Sequence, residues 1–401
     1  MTPPKITIVS PNASQSRGGE AMLAYQFFCE MSDRFPDVSL LTHERCRDHL
    51  TDLMKDKTIY FAEEDWLTAF MWRSVVLRPF VDLYFQYQTR KMIPEYLEPD
   101  QGNIIHYVCP VSPVLRRLPP KGYRLFLGPL TGNIAYPPGF AKRESRKARL
   151  RQSVHFLTQW MIKVFSGEKR RYERILIAGY ERTRASVIAA GASEERLVDV
   201  ICSGVSNEFD GMSRTAHSGV NNRFMCSGRF VDHKGMDLAI RAVAEAGAPI
   251  ELDLYGDGEC GNAWRALARE LGVEDRVTFK GWLPKHADLL ESMRDYRGYL
   301  FPTLAEAHGI VMQEAMMVGL PVITLRWGGP IGIAGDDAAI FIEPENEAHV
   351  VSELAKAMTR LANDPEEAER ISATAHKIAD EKFRWRSVIA SWIKTYDLDA
   401  K

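Results

Sequence analysis

Two stretches in the second half of the chain combine residue types that could hold a phosphate and a sugar. In SGRFVDHKG, Gly228 and Arg229 follow the strand-like run RFMCS, and Lys234 stands five residues after Arg229 where a helical pattern begins. Glycine permits close backbone approach, the first turn of a helix offers unpaired N–H groups, and two cations in one loop can clamp a diphosphate. The alternative is a solvated loop with two surface cations. In EAHGIVMQEAMMVGLPV, seven residues separate Glu306 from Glu314, the first just before a predicted helix and the second inside it. A carboxylate accepts paired hydrogen bonds from vicinal hydroxyls, so one could hold a ribose and the other a sugar ring, with Gly309 letting the helix start come close. For a glutamate on a helix, the alternative is a solvated face.

The elements around these stretches alternate. KITIVS (5–10), a polar glycine loop and AMLAYQFFCEM (21–31) read as strand, loop and amphipathic helix. Strand-like runs follow at 38–42, 103–108, 123–128, 174–179 and 197–204. A polar stretch from Ser206 to Asn222 breaks the pattern and reads as a linker. A second series then starts, with strands at 223–228, 250–258, 276–281, 299–303 and 321–325 and helices at 237–247, 264–272 and 311–319. Alternation of this kind predicts parallel sheets covered by helices, here two tandem doubly wound Rossmann-like domains. The expected boundaries are 1–205 plus 383–401 for the first domain, 206–222 for the linker and 223–382 for the second. The amphipathic segment 383–398, with Trp385 and Trp392, is expected to return to the first domain.

Composition excludes several classes. The 401 residues are 45% hydrophobic and 26% charged, enough apolar material for two cores. A net charge of −2 argues against a dedicated nucleic-acid binder. Residues 1–200 nevertheless carry 29 basic against 22 acidic residues, and 201–401 carry 22 against 31, so the halves are expected to meet different partners. Six cysteines (Cys29, Cys46, Cys109, Cys202, Cys226, Cys260) lack zinc-like or disulfide-framework spacing. No secretory leader and no apolar stretch of membrane-spanning length is seen. The expectation is a cytoplasmic protein, soluble or peripheral at the inner face of a membrane.

Taken together, the GGE loop near the start, a histidine ending a strand in the first half, GV before the linker, SGRFVDHKGMDLAI, LYGDGE, VTFKGWL, FPTLAEAHGIVMQEAMMVGLPVI and GGPIGIAGDDAAI resemble, in order and spacing, the retaining glycosyltransferases of family 4. The resemblance covers nearly the whole chain. It implies the GT-B fold, two Rossmann-like domains facing across a cleft, and transfer of a sugar from a nucleotide diphosphate sugar to an acceptor hydroxyl. The donor would be a UDP-sugar in preference to a GDP-sugar, with no metal and no other cofactor. By the same resemblance Arg229 and Lys234 would bind the donor pyrophosphate beside Gly228, and Glu314 its ribose. Glu306 would hold the donor sugar with the backbone at His308, Gly309, Ile310 and Val311. Lys280 to Leu283 would lie beside the base, with Trp282 a core or rim aromatic. His308 departs from the aromatic more frequent at its place, which bears on donor sugar choice.

In the first half, Gly18 and Gly19 lie between the first strand and its helix, where the family brings backbone near the donor phosphate or the acceptor; a plain tight turn is the alternative. His106 ends a strand, the place where doubly wound sheets put ligand contacts, and would contact the transferred sugar. Many relatives carry their histidine two residues later, where this chain has Val108, so a structural histidine is the competing reading. GPLTGNIAYPPGF (128–140) resembles a loop that borders the acceptor pocket. The acceptor itself is left as a glycan, a lipid-linked molecule or a small molecule, in glycolipid, polysaccharide or cell-envelope glycan synthesis.

Residues 116–174 carry 15 lysines and arginines against three glutamates and flank the apolar VHFLTQWMIKVF, so an anionic membrane surface or an anionic acceptor is a candidate partner. WLTAFMWRSVVLRPFVDLYFQYQTRK (66–91) reads either as a helix lining an acceptor or membrane face or as a mostly buried hairpin. Asp397-Leu398-Asp399 has a DxD form without a strand framework, and GDGE (256–259) lacks dinucleotide spacing. Two other functions stay open: a non-catalytic nucleotide or glycan scaffold, and a nucleotide-sugar epimerase or phosphorylase on the same fold.

Overall fold

The computed structural model describes residues 4–398 except 16–17, 75–76, 78–79, 101, 113–115, 133–134, 145 and 166, and leaves out the side chains at 18, 146–149, 151–152, 165 and 207. Asn133 and Ile134 of the glycine-proline loop and Asp399 of the DxD-like tail therefore lie outside the described residues. The chain forms two compact units.

The first unit comprises residues 1–133, 151–202 and 388–401. Its strands are β1 (Ile6–Val9), β2 (Val38–His43), β3 (Thr58–Ala62), β4 (Ile104–Tyr107), β5 (Arg124–Leu130), β6 (Arg174–Ile177) and β7 (Leu197–Asp199). They make a seven-stranded sheet in the order β3-β2-β1-β4-β5-β6-β7, with every pair parallel. Every residue of β1 and β4 is buried, as expected of a parallel sheet covered on both faces. The helices of this unit are α1 (Gly18–Arg34), α2 (Trp66–Arg73), α3 (Val81–Tyr96), α5 (Tyr180–Ala189) and, from residue 151 onward, α4 (Arg146–Phe165). Residues 66–73 and 81–91 of segment 66–91 are thus helical, while 75–76 and 78–79 lie outside the described residues, and the described surface is not that of a mostly buried hairpin: Trp66, Phe70, Phe80 and Tyr87 are exposed. The end of the chain packs in this unit, where Trp392 Nε1 donates to the Ile201 carbonyl at 3.0 Å and the Tyr396 ring meets Phe126.

The second unit comprises residues 134–150 and 203–387. Its strands are β8 (Arg223–Ser227), β9 (Glu251–Tyr255), β10 (Val277–Gly281), β11 (Gly298–Phe301), β12 (Val322–Leu325) and β13 (Ala339–Ile342). They form a parallel six-stranded sheet, β10-β9-β8-β11-β12-β13. Helices α6 (Met236–Ala246), α7 (Gly261–Glu270), α8 (His286–Ser292) and α9 (Ile310–Val318) alternate with the strands, and two longer helices follow at Glu347–Asn363 and Pro365–Lys382. Helix α6 turns Leu238, Ala239, Ile240, Ala242 and Val243 into a core shared with Phe224, Leu252, Leu300 and Leu354. The stretch read as a linker is fastened to this unit. Arg214 pairs with Glu369, the Thr215 amide donates to Val318, and His217 bonds Gly319. The Arg214 and His217 side chains of this stretch are thus hydrogen-bond partners within the second unit.

Candidate active site

In each sheet one pair of adjacent strands, β1 and β4 or β8 and β11, marks the point where the order reverses, and ligands of doubly wound sheets bind beyond the carboxyl ends of such a pair. In the second unit the loops leaving that pair are 228–235 after β8 and 302–309 after β11. These are the two stretches singled out by residue chemistry.

The loops are joined to one another. The His233 carbonyl accepts from the Leu304 amide at 2.8 Å and from Thr303 Oγ1 at 3.1 Å. Gly235 ends the first loop at φ 64°, and a Cβ there would collide with the Pro302 carbonyl oxygen, so only glycine allows the approach. Lys234 Nζ then reaches Glu306 Oε2 at 2.6 Å and lies 5.6 Å from the Phe301 ring centroid. Arg229 is exposed, and among the described residues its carbonyl accepts from the Val231 amide at 2.9 Å. Burial, followed by the neighbouring Lys234, holds His233 below the usual imidazole range. This corner of the unit thus carries an exposed arginine and an ammonium matched by a carboxylate. The GDGE segment, set aside on its spacing, braces the loop: the Phe230 amide donates to Asp257 and the Cys260 amide to Phe230, at 2.9 and 3.0 Å.

Gly309 precedes α9 at φ 89°, where a Cβ would stand 2.9 Å from the Phe301 ring. His308 Nε2 lies 3.1 Å from Gln313 Oε1, and burial lowers the imidazole's proton affinity. Ile310 is partly exposed and Val311 half-buried. In the first turns of α9, Gln313 Nε2 and Glu314 Oε2 are buried with no partner among the described residues. A ligand that supplied an acceptor and a donor there would meet an unfilled demand. Glu314 Oε1 lies 3.1 Å from His286 Nε2, a contact with no signal in the local sequence. Leu283 is half-buried and Trp282 is 62% exposed, just past the end of β10 and two strands from the reversal point. Trp282 is a rim residue rather than a core one.

The first unit places its candidates differently. Gly18 and Gly19 open α1 rather than forming a turn before it, and nothing lies within 4 Å of a Cβ built at Gly19. His106 is completely buried in β4. Its Nε2 bonds the Gly128 carbonyl at 2.8 Å and its Nδ1 the Tyr396 hydroxyl at 2.6 Å. A carbonyl only accepts, so Nε2 carries the proton and Nδ1 accepts from the phenol. Burial lowers the ring pKa to about 4. The expected contact of His106 with a sugar is therefore corrected: both nitrogens are spent on the core, and the residue is structural.

The decisive comparison concerns the stretch that carries both loops. Residues 212–378 match the family model described as glycosyl transferases, group 1. Among curated proteins, the chain is 31% identical over 171 residues to the lipopolysaccharide core biosynthesis glycosyltransferase LpsD of Rhizobium meliloti, covering 42% of this chain and 48% of LpsD. It is 27% identical over 145 residues to the putative colanic acid biosynthesis glycosyltransferase WcaL of Escherichia coli, 34% of this chain and 36% of WcaL. The chain spans about half the length of the curated relatives it matches, or less. Solved structures align along its whole length. A glycosyltransferase from Rickettsia africae superposes with a TM-score of 0.66 at 14% identity, over 100% of both chains. Anabaena HepE, solved with UDP and glucose, gives 0.60 at 16% identity over 98% of this chain and 99% of HepE. Staphylococcus aureus TarM, solved with UDP, α-GlcNAc-glycerol and fondaparinux, gives 0.62 at 12% identity over 98% and 100%. The fold is that of the GT-B glycosyltransferases, with two Rossmann-like parallel sheets, and all six strands of the second unit lie inside the group 1 match.

Proposed function

We propose that this chain is a retaining glycosyltransferase that moves a sugar from a nucleotide diphosphate sugar, preferably a UDP-sugar, to an acceptor hydroxyl in cell-envelope glycan synthesis. The observation that carries the reading is the meeting of the 228–235 and 302–309 loops at the reversal point of the second sheet, inside the stretch that matches the group 1 glycosyl transferases. Relatives named for lipopolysaccharide core and colanic acid synthesis support the pathway class, and a neighbour solved with UDP-glucose supports the donor class.

On this reading the bond from the anomeric carbon to the diphosphate breaks and the acceptor oxygen bonds to the same face of that carbon. The acceptor proton passes to the departing phosphate oxygen. Arg229 and Lys234 neutralise the charge that grows on the leaving group, and Lys234 exchanges part of its pairing with Glu306 for that phosphate. A donor placed in this way is worth about 10²–10³ in turnover. Glu306 would hold the sugar and Glu314 the ribose, and Leu283 and its neighbours would border the base. The test is release of nucleotide diphosphate from a panel of UDP- and GDP-sugars with and without candidate acceptors. Release only with acceptor supports transfer; release without it, or none with any donor, favours a phosphorylase, epimerase or scaffold.

We further propose that α4 rests on an anionic membrane surface. Val154, Leu157, Met161 and Val164, with Phe156 and Trp160, are exposed along this helix, whose first turns carry Arg146, Lys147, Arg149 and Arg151. No helix among the described residues is long and apolar enough to cross a membrane. Co-flotation with phosphatidylglycerol vesicles but not phosphatidylcholine ones, lost in Trp160→Glu, is expected; equal behaviour of the two vesicles would defeat the idea.

A further inference from the structure

His286 stands between two carboxylates of the second unit. Its Nε2 lies 3.1 Å from Glu314 Oε1 on α9, and its Nδ1 lies 2.7 Å from Glu208 Oε2. Glu208 belongs to the short 3-10 turn Asn207–Phe209, inside the stretch that reads as a linker in the sequence. The Glu314 side chain is only 7% exposed, and its second oxygen, Oε2, is buried without a partner among the described residues. Carboxylates only accept, so a ring that serves both must carry both protons. His286 is also the one cation within ion-pair distance of Glu314 among the described residues.

We infer that His286, anchored by Glu208, is a positioning residue that fixes the Glu314 carboxylate so that its second oxygen can accept a ribose hydroxyl of the donor. The inference rests on the proposed reading of Glu314 as the ribose acceptor. A buried carboxylate is costly without a counter-charge, and a free one would swing between rotamers or turn toward solvent. The imidazolium supplies the charge and consumes one oxygen, and the other keeps its capacity. The alternative arrangement, in which His286 blocks the site until ligand displaces it, would leave Glu314 with both oxygens engaged. That is not what is seen.

The groups facing the ring are Glu314 from α9 and Glu208 from the 3-10 turn, with Lys285 and Asp288 beside it on its own segment. The Glu314 hydrogen bond raises the ring pKa to about 9, burial opposes it, and Glu208 adds to the rise. The doubly protonated ring therefore persists through neutral pH.

The experiment is calorimetric titration of the full chain with UDP and with GDP, paired with steady-state kinetics where turnover is detected. His286→Ala should weaken nucleotide binding about tenfold or more, and raise the donor KM with a smaller change in kcat and none in acceptor KM. Should the alanine variant not fold, His286→Gln, which retains one donor, takes its place with a smaller loss. Glu208→Ala leaves the contact to Glu314 intact but should bring forward, to lower pH, the alkaline loss of binding seen in the parent; His286→Gln should lack that limb. Unchanged or tighter binding in both His286 variants, while Glu314→Ala binds weakly, overturns this inference alone. Unchanged binding in Glu314→Ala, or no binding of either nucleotide by the parent, overturns the ribose reading and this inference with it.

Discussion

Lys234 Nζ lies 2.6 Å from Glu306 Oε2, joining two residues 72 positions apart in sequence, and both side chains are one-fifth exposed. The pair is partly wet, so it contributes little to stability, while its two members remain within reach of a ligand. Lys234→Ala should lower sugar transfer roughly 10²–10³-fold and shift the melting temperature by no more than about 2 °C. A coupled assay of nucleotide diphosphate release with a thermal melt of the same sample decides it. Near-normal turnover would refute the assignment.

Gly309 sits at φ 89° against the Phe301 ring. Gly309→Ala should destabilise the second unit by about 1–2 kcal/mol, because an L side chain is strained at that angle and the ring must move. Urea denaturation of parent and variant measures the loss. Since α9 carries Glu314, nucleotide affinity should fall in the same variant.

Arg143 Nη2 lies 2.9 Å from Asp232 Oδ1 and 3.0 Å from Asp237 Oδ1, and Tyr136 donates to Asp232 Oδ2. These bonds fasten Tyr136 and Arg143 to the 228–235 loop and the start of α6. Arg143→Ala would leave two carboxylates facing each other, one of them only 13% exposed, at a cost of about 2 kcal/mol. Arg143→Lys should restore part of that loss and not all of it, because an ammonium lacks the planar fork. Chemical denaturation of the two variants orders them.

His106 and His43 are buried, and burial, as the main cause, lowers each pKa to about 4. The unfolded chain takes up protons near 6.5 while the folded one stays neutral, so the unfolded state binds more protons between pH 6.5 and 4. Stability therefore falls as pH drops through that window and is steady above it. His106 alone can account for about 3 kcal/mol at full effect. Melts at pH 7.5, 6, 5 and 4.5 should show the first unit failing early. His106→Gln should flatten the slope, and an unchanged slope would exclude the ring as its source.

The loops that carry the candidate site are legible in the sequence because their signals are local. Gly228, Arg229 and Lys234 lie within seven residues, and Glu306, Gly309 and Glu314 within nine. Backbone freedom, helix starts and charge act over such distances. The roles of Glu208 and His286 are not legible: a surface-like glutamate in a polar stretch and a histidine at a helix start become a relay only when α8, α9 and the 3-10 turn come together. Residues 206–222 looked like a spacer for the same reason, since their polarity signals solvation until Glu369 and Gly319 are placed beside them.

What the sequence determined by itself is the alternation of short buried strands with amphipathic helices, hence two parallel sheets, and the identity of the charged groups at the ends of particular strands. Periodicity and composition encode these without reference to distant parts of the chain. Tertiary structure decided which of those groups face a partner and which are consumed by packing. His106 occupies the strand end where a ligand contact was expected, yet its partner Tyr396 comes from 290 residues away and closes it into the core. A side chain's protonation and accessibility depend on its neighbours in space, and only folding chooses those neighbours.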